Sequence, residues 1–252
     1  MALIADPWFW ILGVTAVLLT GISKAGLGGG AGGVSTPMLS MVISPFTAAA
    51  IMLPVLCVMD IFGIRAYLWK WDRAVVRRIV GGGLIGCVAG ALTFRWLSDA
   101  WIRILLGSIA LGFLAFSYMP RKAPRGLPSN KAGWFWSALS GYTSFVTHSG
   151  GPPMMVYLLP LRLEKSTFIA TSLVFFATMN YAKIVPYLWL GLFDARNLAT
   201  SALLVPVGIA GIYVGVWLQK RMEPRTFYRV VHLLLFATGT KLLYDGLSAL
   251  LN

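Results

Sequence analysis

Acidic residues, histidine and cysteine are all scarce in this chain. Of its 252 residues only 12% are charged, with 8 Asp and Glu in all, 2 histidines and 2 cysteines. A soluble globular domain carries about 25% charged residues, so the low figure excludes an ordinary soluble fold. Hydrophobic residues make up 58% of the chain, the composition of a polytopic membrane protein. Cys57 and Cys87 both lie inside apolar runs. They read as reduced thiols packed like small apolar side chains, not as a disulfide or a metal site. No cofactor is expected. The start, Met1 to Asp6, lacks a basic n-region, and no small-residue cleavage site follows the first apolar run. That run is therefore expected to be kept as a membrane segment.

The formal net charge is +13, and its placement gives it meaning. Lys and Arg gather in short loops: Lys70, Arg73, Arg77 and Arg78; Arg121, Lys122 and Arg125; Lys220, Arg221 and Arg225. These clusters flank long apolar spans. They fit the positive-inside rule for orientation and argue against nucleic-acid binding.

What is present is glycine and proline clustered in two breaks. The first runs from Gly26 through Gly28, Gly29, Gly30, Gly32 and Gly33 to Ser35, Thr36 and Pro37. The second is Thr147, His148, Ser149, Gly150, Gly151, Pro152 and Pro153. Each leads into an apolar stretch of about ten residues, too short to cross a bilayer as a helix. Broken segments at matching places in two halves point to a transporter's substrate site.

The halves align beyond the breaks. Met59-Asp60 matches Met179-Asn180, Tyr67-Leu68-Trp69 matches Tyr187-Leu188-Trp189, and Gly86 and Gly90 match Gly211 and Gly215 after a small shift. Each half reads as a broken, re-entrant helical hairpin plus three transmembrane helices, an all-α fold. The first half has 8–27 plus 35–43, then 46–68, 74–95 and 101–119. The second has 132–148 plus 152–161, then 167–190, 196–218 and 226–250. The domains are thus a first membrane repeat over 1–120, a cytoplasmic connector over 121–131 and a second repeat over 132–252. Three full spans per half make the second copy upside down, and the basic loops switch position between the halves accordingly. Inverted-topology repeats with both termini outside follow. Gly82, Gly86 and Gly90, like Gly211 and Gly215, allow close helix approach and read as scaffold.

Ser35 or Thr36 before Pro37, and Ser149 before Pro152 and Pro153, have the pattern of a polar cap followed by proline in a first helical turn. Gly30 and Gly33 in one break, and Gly150 and Gly151 in the other, let a ligand approach the backbone. A helix N-terminus favours an anion. Ionisable residues within membrane spans usually mark a pathway. Here they are Lys24, Asp60 and Lys183, with His148 in the second break and Asn180 at the position matching Asp60. Bland roles compete with each: a structural Lys183–Asp60 pair, Lys24 and Lys241 reaching to an interface, an interior hydrogen-bonded His232, and Arg65 as a topology signal. Proton coupling through His148 or Asp60 suits the residue types, but the sequence does not show it.

Gly26-Leu27-Gly28-Gly29-Gly30 leading to Pro37-Met38-Leu39 resembles the first repeat of the sulfite exporter TauE/SafE family. The run His148-Ser149-Gly150-Gly151-Pro152-Pro153, then Tyr157 to Pro160, then Asn180 and Lys183 before Pro186-Tyr187, is similar to its second repeat. The first repeat departs from the family pattern in its extra glycines, Gly32 and Gly33, and in Lys24. The resemblance implies a secondary transporter of the bacterial inner membrane, in which the charge bias expects periplasmic termini. It implies export of sulfite, organosulfonates such as sulfoacetate, or related small anions by alternating access. The partners would be the small anion and the bilayer, with a homodimer left open. An anion channel or a permease for other small organic anions is the alternative. An intramembrane serine hydrolase is disfavoured, since His232 is the sole histidine besides His148 and a serine nucleophile needs a separately placed base. The second break, with His148 and Lys183, is expected to set substrate choice.

Overall fold

The computed structural model describes residues 4, 6–29, 35–118, 129–221 and 224–251. Within them the chain forms helices and short turns, with no strand. The helices are α1 (Pro7–Leu27), α2 (Ser35–Leu39), α3 (Pro45–Ala66), α4 (Arg73–Thr93), α5 (Asp99–Tyr118), α6 (Asn130–Thr147), α7 (Gly151–Leu158), α8 (Lys165–Trp189), α9 (Ala195–Arg221) and α10 (Pro224–Leu251). Five of them, α1, α3, α4, α8 and α9, are long and apolar enough to cross a membrane. The 22 residues of α3 give about 33 Å at 1.5 Å per residue, close to the ~30 Å of a hydrocarbon core.

Local signals explain where the helices start. Asp6, Ser44, Asp72 and Ser129 cap α1, α3, α4 and α6, each accepting a bond from a backbone N–H of the first turn. Proline follows the cap directly in α1 and α3, where its missing N–H costs nothing.

Of the two short segments, the first is shorter than the expected 35–43, and the second matches the expected 152–161 closely. The first is a five-residue helix, α2, followed by tight i→i+3 turns in which Met41 and Val42 donate to Met38 and Leu39. The chain must reverse there into the Ser44–Pro45 start of α3, and a longer helix would carry it past. The second is α7 plus a 3-10 turn over Leu159–Leu161, ended by Arg162 in a left-handed conformation (φ 50°).

Packing has a two-fold pattern. Helix α1 lies against α9 and α6 against α4, so each broken hairpin rests on a helix of the other half. Exchanging the first five helices for the last five converts these pairs into one another, and likewise α3–α9 into α8–α4. The α3–α8 and α5–α10 pairs map onto themselves. Single bonds repeat at a constant offset: the Tyr67 hydroxyl meets the Ala25 carbonyl at 2.5 Å, and Tyr187 meets Phe145 at 2.7 Å.

The glycines at the two crossings repeat too. A β-carbon on Gly86 would run into the Ala138 carbonyl, and one on Gly211 would meet the Leu18 carbonyl at 2.7 Å. Close backbone approach of this kind is what small residues provide in membrane helix packing.

Helices α3 and α8 run in opposite directions. Phe46, at the start of α3, sits edge-on to Phe94 at 4.9 Å, and Phe94 lies 6.3 Å from Tyr187 near the end of α8. At the opposite end, the Asp72 N–H donates to Thr171 Oγ1, near the start of α8, at 3.0 Å. Basic residues collect at that same end. Lys165 Nζ donates to the Gln219 carbonyl at 2.7 Å, next to Lys220 and Arg221, and the Tyr67 hydroxyl meets the Gln219 side chain two residues before the Trp69–Lys70 loop. Of the remaining expected cluster, Arg121, Lys122 and Arg125 lie outside the described residues.

Adding a methyl group at either crossing is expected to destabilise the fold. Gly86→Ala and Gly211→Ala should each cost about 1–3 kcal/mol through overpacking. Gly112→Ala, where a β-carbon would meet nothing within 4 Å, should leave stability unchanged or raised. Unfolding midpoints of the three variants in detergent provide the check.

Candidate functional site

The helices that lead into the breaks end alike. Gly28 closes α1 in a left-handed conformation (φ 68°) and His148 closes α6 in the same way (φ 54°). The next N–H groups match as well: Gly29 donates to the Ser23 carbonyl at 3.1 Å and Ser149 to the Thr143 carbonyl at 3.4 Å. Glycine adopts this conformation freely, whereas a residue with a β-carbon is held there at a cost of about 1–2 kcal/mol. The ring of His148 is what holds it. Its Nε2 lies 3.0 Å from the Ala49 carbonyl on α3, and its Nδ1 lies 2.9 Å from Lys183 Nζ on α8. A carbonyl only accepts, so Nε2 carries the proton and Nδ1 accepts from the ammonium. Lys183 places its other two protons on the Ser144 carbonyl (3.0 Å) and hydroxyl (3.1 Å). A buried ammonium with all three donors engaged is the arrangement that tolerates burial.

A second charged group faces it. Lys24 Nζ lies 2.6 Å from Asp60 Oδ1, with the two side chains 6% and 0% exposed. Asn180 Nδ2 donates to the other carboxylate oxygen at 2.7 Å. Asp60 therefore pairs with Lys24 and not with Lys183, and Lys24 turns into the protein instead of reaching to an interface. Lys241 is exposed and pairs with Asp245 at 2.6 Å. His232 Nδ1 lies 3.3 Å from the Tyr118 hydroxyl.

These groups border one cavity of about 30 Å³, room for about two water molecules. From the first half it is lined by Thr20, Lys24, Gly29 and Leu56, and from the second by Ser144, His148, Gly151, Phe176 and Asn180. Lys24 and Ser144 occupy equivalent places, as do Leu56 and Phe176, so both halves meet across it. The Thr20 hydroxyl is buried and has no hydrogen-bond partner among the described residues. Its counterpart Ser140 donates to the Gly150 carbonyl at 2.6 Å.

Of the residues singled out in the sequence, Lys24, His148, Gly151 and Asn180 line the cavity. Lys183 stands behind His148 and Ser144, and Asp60 behind Lys24 and Asn180. Ser149 does not cap α7: its hydroxyl turns back to the Thr147 carbonyl at 3.2 Å, and Gly150 is the cap residue. Ser35 and Thr36 open α2 as expected, but their buried hydroxyls bond no backbone N–H among the described residues and do not line the cavity. Gly30 and Gly33 lie outside the described residues.

The prolines also limit what the α7 N-terminus offers. Pro152 and Pro153 carry no N–H, which removes two of the four free donors a helix start presents. Positive charge at the site therefore comes mainly from the lysines. Thr20, Gly29, Leu56, Ser144 and Phe176 were not singled out in the sequence. The repeat offset contains the missing signal, since it pairs Lys24 with Ser144 and Leu56 with Phe176.

Removing one member of the buried ion pair is expected to cost about 3–5 kcal/mol, because the other charge is left uncompensated. Lys24→Met alone should thus unfold at markedly lower temperature than Lys24→Met combined with Asp60→Asn. Thermal unfolding of both variants in detergent makes the comparison.

The family model for the sulfite exporter TauE/SafE matches residues 13–242. Comparison with curated proteins and with solved structures gives no match. The family match spans nearly the whole chain, so this protein belongs to the sulfite exporter TauE/SafE family.

Proposed function

We propose that this TauE/SafE member is a secondary transporter that exports small sulfur-containing oxyanions, sulfite or organosulfonates, across a bacterial inner membrane. The observation that carries the reading is the cavity between the two breaks, where Lys24 from one half faces His148 and Asn180 from the other. Basic side chains near a cavity inside a membrane suit an anion. Thr20, Asn180 and the Gly151 N–H would donate to its oxygens. Lys183 would act through His148 and Ser144, to which it is bonded.

The halves would form inverted repeats that rock about this site. The constant residue offset, the symmetric helix pairing and the opposite directions of α3 and α8 support that arrangement. The basic end of the bundle would face the cytoplasm, leaving both termini periplasmic. Transport would proceed by alternating access, with the cavity opening to one side of the membrane at a time.

Purified protein in liposomes is expected to carry sulfite with saturating kinetics. Lys183→Ala should lower the flux at limiting substrate by roughly 10–100-fold, the equivalent of about 1.5–3 kcal/mol for a bond to a charged group. Flux that rises linearly with concentration would assign a channel, and unchanged flux in Lys183→Ala would remove that lysine from the site. A serine-reactive phosphonate should leave Ser149 unlabelled.

A further inference from the structure

Three charged side chains are buried among the described residues: Lys24, Asp60 and Lys183. His148, also buried, accepts a hydrogen bond from Lys183 at Nδ1 and donates one from Nε2 to a carbonyl, so it is neutral. Together these side chains hold one net positive charge. The cost of holding charge in a medium of low dielectric rises steeply with its net amount, whichever the sign. A singly charged anion brings the site to zero. A doubly charged anion would leave one net negative charge, which is no better balanced than the side chains by themselves.

We infer that Asp60 fixes the site at one net positive charge and thereby makes this a carrier of singly charged sulfur oxyanions, such as hydrogensulfite and alkanesulfonates, in preference to doubly charged ones. The inference rests on the transport reading above and names its substrate class. Two features identify Asp60 as the residue that sets the limit. Its counterpart in the other half is Asn180, the same shape without the charge, so Asp60→Asn changes charge with little change of shape. Its partner Lys24 lines the cavity while lying 2.6 Å from the Asp60 carboxylate. Half of the available positive charge is thus already balanced before a substrate arrives. The buried Thr20 hydroxyl, which lacks a partner among the described residues, stands in the same cavity as a donor for an anion oxygen.

Two sulfonates of nearly equal size separate charge from shape: hydroxyethanesulfonate with one negative charge and sulfoacetate with two. Uptake of each is measured in liposomes with the membrane potential clamped at zero. Wild type is expected to carry the hydroxyethanesulfonate at least tenfold faster. Asp60→Asn, which adds one net positive charge, should move the ratio at least tenfold toward sulfoacetate. Lys24→Gln combined with Asp60→Asn restores the original net charge and should return the ratio toward wild type. The inference is overturned if wild type carries sulfoacetate as fast or faster, if the ratio does not move in Asp60→Asn, or if the double variant behaves like the single one. Should Asp60→Asn not assemble, the wild-type ratio and the double variant still decide. A wild type that carries neither sulfonate nor sulfite defeats the transport reading and this inference with it. A wild type that carries both sulfonates equally defeats the inference alone.

Discussion

A charge in the interior of a membrane protein survives only where partners replace the water it has lost. In this chain that condition ties the halves together. Asp60 on α3 is held by Lys24 of its own half and by Asn180 of the other. His148, at the end of α6, reaches α3 through the Ala49 carbonyl and α8 through Lys183. The Asn180–Asp60 and His148–Ala49 bonds cross between the halves, while Lys24 and Lys183 find their partners within their own. The cavity lies where the networks meet because that is where the polar atoms must be. The apolar Leu56 and Phe176 complete its lining.

The frame is symmetric and its decoration is not. At equivalent places the first half has Gly28, Lys24, Asp60 and Gly63, and the second has His148, Ser144, Asn180 and Lys183. Hydroxyls follow the same division. Ser140, Thr143 and Thr147 of α6 are bound to backbone carbonyls. Their counterparts on α1 include Thr20 and Ser23, which have no partner among the described residues. The second half supplies rigid groups held by their neighbours, and the first supplies a donor that is still free. Both halves thus contribute to the chemistry of the cavity, the second through His148 of its break and the first through Lys24 and Thr20 of α1.

Much of this was legible in the sequence. The broken segments, the full spans and the matching of residues 59–60 with 179–180 all follow from apolar run length and from glycine and proline. Lys24, Asp60, Lys183 and Asn180 stood out because polar groups in long apolar runs are rare. What could not be read was which of them touch. Spacing along a helix tells which face a residue occupies, but an ion pair between α1 and α3 depends on how those helices cross. Hence Lys183 looked like a partner for Asp60 when Lys24 holds that place. Ser149 looked like a cap because its distance from the prolines is right. The left-handed turn at His148 sends its hydroxyl back to Thr147 instead. Thr20 and Ser144 carried no local signal at all, and only the repeat offset links the second of them to Lys24.

The exchange of helices between the halves has a consequence for how the protein can be made. Helix α1 packs against α9, and α6 against α4, with glycines at both crossings that bring the backbones into close contact. A chain cut between α5 and α6 would leave each piece with its broken hairpin and no groove of its own to lay it in. Folding of either half therefore requires the other. During synthesis α1 must wait in the bilayer, its glycine face uncovered, until nearly all of the polypeptide has been inserted and α9 arrives.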